Sequence, residues 1–94
     1  MGVGFALREE YIAGATKDWV SFKFPTMRTA FDMETVIRET PRKYGPRGAV
    51  GVGEMTMVPT APAVMNAIED ACGARVFELP ATPERIKAAL ENAV

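Results

Sequence analysis

The stretch Gly45-Pro-Arg-Gly-Ala-Val-Gly-Val-Gly-Glu54 decides how the rest of the chain is read. Glycines 45, 48, 51 and 53 and Pro46 crowd into it, and it ends on a single carboxylate. Glycine reaches backbone angles closed to other residues and lets main chain approach a ligand closely. Two nucleotide readings fail here. Gly48 and Gly53 have the spacing of a phosphate-binding loop, but Glu54 stands where the lysine is needed and would repel phosphate. A dinucleotide fingerprint starting at Gly51 needs a small residue at position 56, where Thr56 stands, and Pro59 intervenes before any helix. What is left is Glu54 on a close-packed backbone, either a solvated loop acid or a carboxylate aimed at a reacting centre, where it can act as a general base.

Outward from the loop, the helical signals are strong. Thr60 reads as an N-cap, with Pro62 in the first turn where its missing N–H costs nothing. Ala61, Val64, Met65, Ile68, Ala71 and Cys72 recur at helical spacing, which places the Cys72 thiol toward the core. Gly73 supplies the stop. Thr82-Pro83-Glu84 opens a second helix running to about Ala93, with Ile86, Ala89, Leu90 and Ala93 on its buried face. Upstream, Met1 to Ile12 reads as the end of a helix running into a strand, and Ala13 to Asp18 as a turn. Val20, Phe22 and Phe24 alternate with Ser21 and Lys23, the pattern of a half-buried strand over Trp19–Phe24. Glu34–Glu39 and Arg75–Leu79 read as further short strands. The expected fold class is α+β: short strands plus two C-terminal helices, residues 1–94 forming a single partial domain.

Composition narrows the chemistry. The 94 residues are 48% hydrophobic and 24% charged, with net charge −1, so no global field points to nucleic acid. There is no histidine, and one cysteine excludes an intrachain disulfide or a cysteine-rich metal site. Met55, Met57 and Met65 have no histidine or cysteine to complete a metal site with. No apolar run spans a membrane and no signal peptide is evident, so the default expectation is a cytoplasmic protein. Arg38, Arg42, Lys43 and Arg47 read first as a solvated loop with Glu39 to offset them, and otherwise as a patch for a phosphate or an acidic partner.

Gly-Pro-x-Gly-Ala-x-Gly-Val-Gly-Glu, followed by Val58-Pro-Thr-Ala-Pro62, Asn66-Ala-Ile68 and Leu79-Pro-Ala-Thr-Pro-Glu-Arg-Ile86, resembles the C-terminal part of the molybdopterin-binding subunit of the xanthine dehydrogenase / aldehyde oxidoreductase family, the molybdenum hydroxylases. The resemblance covers nearly the whole chain but only the tail of that subunit. It implies that Glu54 is catalytic, standing beside the molybdenum without ligating it and taking the proton of a metal-bound hydroxyl that attacks an electrophilic carbon. It implies that Gly51, Val52 and Gly53 approach the molybdopterin cofactor, and that no residue here is a metal ligand. Iron–sulfur centres and FAD would sit on partner subunits, and the substrate would be an aldehyde or an N-heterocycle such as a purine. Val50 stands where many members carry lysine, and Met27 to Met33 is less typical. The family's other cofactor loops lie upstream of this region, so the expected partners are the remainder of the molybdopterin-binding subunit and an iron–sulfur subunit. The chain would be a split subunit, a truncated reading frame or an excised fragment, inactive alone. The alternative is a stand-alone α+β interaction or ligand-binding domain without catalysis.

Overall fold

A computed structural model describes residues 1–92. Three helices carry the architecture: α1 (Gly2–Leu7), α2 (Thr60–Cys72) and α3 (Pro83–Glu91). Single 3-10 turns occupy Met27–Thr29 and Pro46–Gly48.

α1 packs on α2. Its glycines make the approach possible: a Cβ on Gly2 would stand 2.5 Å from Thr60 Cγ2, and one on Gly4 would run into Pro25 and the Glu9 carboxylate. The helix propensity lost at these glycines is offset by close contact. α2 presents Ala61, Val64, Met65 and Ile68 as a half-buried stripe. It stops where Gly73 turns left-handed (φ 75°) and donates its N–H to Glu69 O at 2.7 Å. α3 starts as its sequence predicts: Thr82 Oγ1 accepts from Arg85 N at 3.4 Å, with Pro83 in the first turn.

Arg85 ties the two ends of the chain together. Its Nη1 donates to Pro80 O and its Nη2 to Glu10 Oε1, each at 2.8 Å. Beside this clasp, Ala81 N donates to Ala6 O at 2.7 Å.

The α+β expectation is overturned: among the described residues there is no strand and no sheet, and the regular structure is helical. At Trp19–Phe24 local hydrogen bonding defeats the alternation. Ser21 N and Oγ both donate to Asp18 Oδ1, at 2.8 and 2.7 Å, and Asp18 N donates back to Ser21 Oγ at 3.0 Å. Side chains that bond neighbouring backbone in this way compete with a ladder. The segment coils, Lys23 takes φ 63°, and Trp19 stacks edge-on against Phe22 and Phe24, with ring centroids 6.2 and 5.6 Å apart. Glu34–Glu39 is exposed and irregular, and Arg75–Leu79 finds no neighbour to pair with. Strand propensity needs a second strand to act on.

Three smaller expectations change as well. Thr60 is not an N-cap: Pro59 holds that position, and the Thr60 hydroxyl donates to Thr56 O at 2.9 Å. Cys72 is exposed, its thiol donating to Ile68 O at 3.2 Å. Leu90 is exposed, whereas Ile86 and Ala89 are half-buried. The extension of α3 to Ala93 lies outside the described residues.

The core is slight. Among the described residues Ala6, Ala74 and Ala81 are its buried hydrophobic residues, and no large side chain is fully buried. The accessible surface is 8325 Å², against about 5,300 Å² for a folded monomer of 10.2 kDa. The radius of gyration is 17.1 Å, where a compact domain of this length has about 12 Å. The chain's apolar residues are therefore left largely uncovered by the chain itself.

The start of α3 carries a local pH dependence. The Glu84 carboxyl is held below its ordinary value of 4.5, first by its own backbone N–H and then by the Thr82 hydroxyl, at the positive end of α3. A lowered folded value means a contribution present above 4.5 and lost as pH falls through the folded value. Helical circular dichroism is therefore expected to fall below about pH 4.5, and Glu84→Gln to flatten that part of the titration.

Candidate functional site

The glycine loop is built from two backbone regimes. In its first half Gly45, Arg47 and Gly48 are left-handed, with φ of 93°, 55° and 79°. Gly48 N closes a turn onto Gly45 O at 3.3 Å, and Ala49 N onto Pro46 O at 3.1 Å. A Cβ on Gly45 would stand 2.6 Å from Ala49 O, so this turn itself requires glycine.

The second half is different. Gly51 and Gly53 have no left-handed φ, and nothing of the chain lies within 4 Å of where either Cβ would be. No contact inside the chain calls for glycine at these two positions. Val52 is exposed between them. The backbone then turns: Glu54 O accepts from Met57 N at 2.9 Å and from Val58 N at 3.3 Å, so the carboxylate sits at the head of a turn running into α2.

Glu54 is exposed, not enclosed in a dry pocket of the chain's own making. Its carboxylate takes part in no hydrogen bond or ion pair with the described residues. The structure thus places Gly51, Val52, Gly53 and Glu54 side by side on one open, solvent-facing ledge. Among the described residues no three His, Cys, Asp or Glu side chains gather where they could hold a metal ion. No described helix is long and apolar enough to cross a membrane.

The ledge fits a closely approaching group on one count: two side-chain-free positions precede an exposed carboxylate, and among the described residues nothing beyond the chain neighbours lies within 4 Å of where either Cβ would be. Any enclosing wall has to come from elsewhere. Two polar features have no counterpart in the sequence pattern. Arg85 reaches Glu10 across 75 positions, a pairing that no local spacing announces. Glu9 Oε1 is buried without a hydrogen-bond partner among the described residues.

No family model matches the chain. Comparison with curated proteins does find relatives. The chain is 37% identical over 92 residues to an aldehyde oxidoreductase of Megalodesulfovibrio gigas, a match covering 96% of this chain and 10% of that protein. It is 34% identical over 92 residues to a putative xanthine dehydrogenase molybdenum-binding subunit of Escherichia coli, covering 92% of this chain and 12% of the relative. It is 40% identical over 76 residues to one subunit of a nicotinate dehydrogenase of Pseudomonas putida, covering 81% of this chain and 6% of the relative. The chain spans about a tenth of the length of the curated relatives it matches. Over nearly its whole length the chain is thus homologous to one stretch of aldehyde oxidoreductases and xanthine dehydrogenase molybdenum-binding subunits, the molybdenum hydroxylase family that its glycine loop resembles.

Proposed function

We propose that the chain contributes the glutamate loop of a molybdenum hydroxylase, that Glu54 is its general base, and that the chain is inactive without further polypeptide segments. The observation that carries this reading is the similarity itself. It runs through nearly all of the chain and takes in the ledge, whose two glycines have no role within the chain.

In this reading Gly51, Val52 and Gly53 line the molybdopterin cofactor with bare backbone. The cofactor, when bound, supplies the two-electron redox chemistry of hydroxylation. Glu54 accepts a proton at its carboxylate as oxygen attacks the substrate carbon, and the turn from Glu54 to Val58 holds the backbone from which that carboxylate extends. Neighbouring segments exclude water from the ledge, which is open in the chain alone. The proposed substrates are aldehydes or N-heterocycles such as purines, in keeping with the names of the aldehyde, xanthine and nicotinate relatives. Iron–sulfur and FAD centres would be carried by partner subunits, and the proposed setting is the cytoplasm.

Turnover tests the reading. The chain isolated with its partners and loaded with molybdenum should oxidise at least one of an aldehyde, xanthine or nicotinate. A loaded complex that turns over none of the three would overturn it. A second test separates the ledge from the rest. Gly53→Val should leave the circular dichroism of the isolated chain unchanged, because a Cβ there meets nothing. In the assembled enzyme the same change should lower molybdenum occupancy or turnover by about tenfold or more, through steric conflict at a close approach.

A further inference from the structure

The basic run from Arg38 to Arg47 has no part in the glutamate ledge, and the structure gives it no partner. Arg38, Arg42, Lys43 and Arg47 are all exposed, with one acid, Glu39, among them, on a chain of net charge −1. None of the four enters an ion pair among the described residues, where cation partners are Arg75, Arg85 and Lys87. From Phe31 to Tyr44 no group takes part in a hydrogen bond within the described residues. Apolar side chains accompany the cations: Ile37, just before Arg38, is 82% exposed, and Tyr44, between Lys43 and Arg47, is 84% exposed. Arg42, Lys43 and Tyr44 border one open hollow of about 440 Å³ with Gly45 and Val50.

These features occur together at protein interfaces. Arginine and tyrosine are over-represented among the residues that dominate binding, and a segment with free N–H and C=O groups can offer them to another chain. A solvated charge run would need no apolar side chains spaced among its cations. Of the four cations only Arg42 and Lys43 border the hollow, whereas a phosphate site would converge its cations on one point.

We propose that Val36–Arg47 is a docking arm that lies along an acidic segment of a partner polypeptide, the cations pairing with its carboxylates while Ile37 and Tyr44 seat against apolar side chains between them. The proposal deepens the assembly reading above and rests on it. It names the chemistry of the partner surface and uses none of the glutamate ledge.

The test is fluorescence anisotropy of the full chain with a labelled peptide of about twelve residues alternating glutamate and leucine. Saturable binding is expected, weakening about tenfold or more from about 50 to 200 mM salt. The charge reversal R42E/K43E/R47E should weaken it at least tenfold. The separate change I37S/Y44S, which keeps every charge, should weaken it severalfold. Helical circular dichroism should be unaltered in both variants, because none of the substituted side chains enters a hydrogen bond or ion pair among the described residues. Equal binding by the charge-reversed chain overturns the proposal. So does loss on charge reversal with I37S/Y44S unaffected, and so does tighter binding of inorganic phosphate or of phosphatidylserine vesicles than of the peptide. Failure here leaves the turnover test untouched, and failure of that test leaves peptide binding untouched.

Discussion

Glu54→Gln, introduced into the assembled enzyme, is expected to retain molybdenum and lose turnover by about 10²–10⁴-fold, equivalent to about 3–5 kcal/mol of transition-state stabilisation. The amide keeps the shape of the side chain and its place at the head of the turn, where only the backbone oxygen of Glu54 is engaged. It removes the capacity to accept a proton. Since the Glu54 side chain bonds to nothing within the described residues, the change should not disturb folding, and metal content should match the parent. Glu54→Asp should recover part of the rate, because it restores the base at a shorter reach. A Gln variant that turns over at near-normal rate would remove Glu54 from the chemistry.

The second large effect concerns the chain alone. With an accessible surface of 8325 Å² and no large side chain fully buried among the described residues, the isolated polypeptide has little to lose on unfolding. Denaturant sensitivity and the heat-capacity change both scale with surface exposed. A self-sufficient domain of this length would show a heat-capacity change of about 1.2 kcal/mol/K. The isolated chain is expected to show well under half of that, a broad non-cooperative loss of helix, and binding of a hydrophobic dye. Calorimetry checks the first and circular dichroism the second. A sharp two-state transition would instead favour the stand-alone domain.

The helices were legible because their signals are local. Thr82-Pro83 at the start of α3 and Gly73 at the end of α2 act within one turn of backbone, and the structure uses both as their residue types dictate. The strands were misread because strand formation is not local. Val20, Phe22 and Phe24 alternate as a strand should, yet Asp18 and Ser21 satisfy one another and the adjacent backbone first. Gly2 and Gly4 lower the helix propensity of α1, and only the structure shows why they are there, with Thr60 and Pro25 where a Cβ would stand. Spacing points Cys72 inward, but the structure leaves it exposed. The candidate site was legible in a different sense. Gly51, Gly53 and Glu54 stand out as a pattern whose reason is not inside the chain, and the structure places them on an open ledge without supplying that reason.

The central claim is that this polypeptide works as one portion of a larger molybdenum-containing assembly. The most direct measurement is native mass together with molybdenum content, made on the chain purified from its own host under non-denaturing conditions. The account predicts a complex several times the 10.2 kDa of the chain, carrying molybdenum. A metal-free monomer that unfolds cooperatively would contradict it.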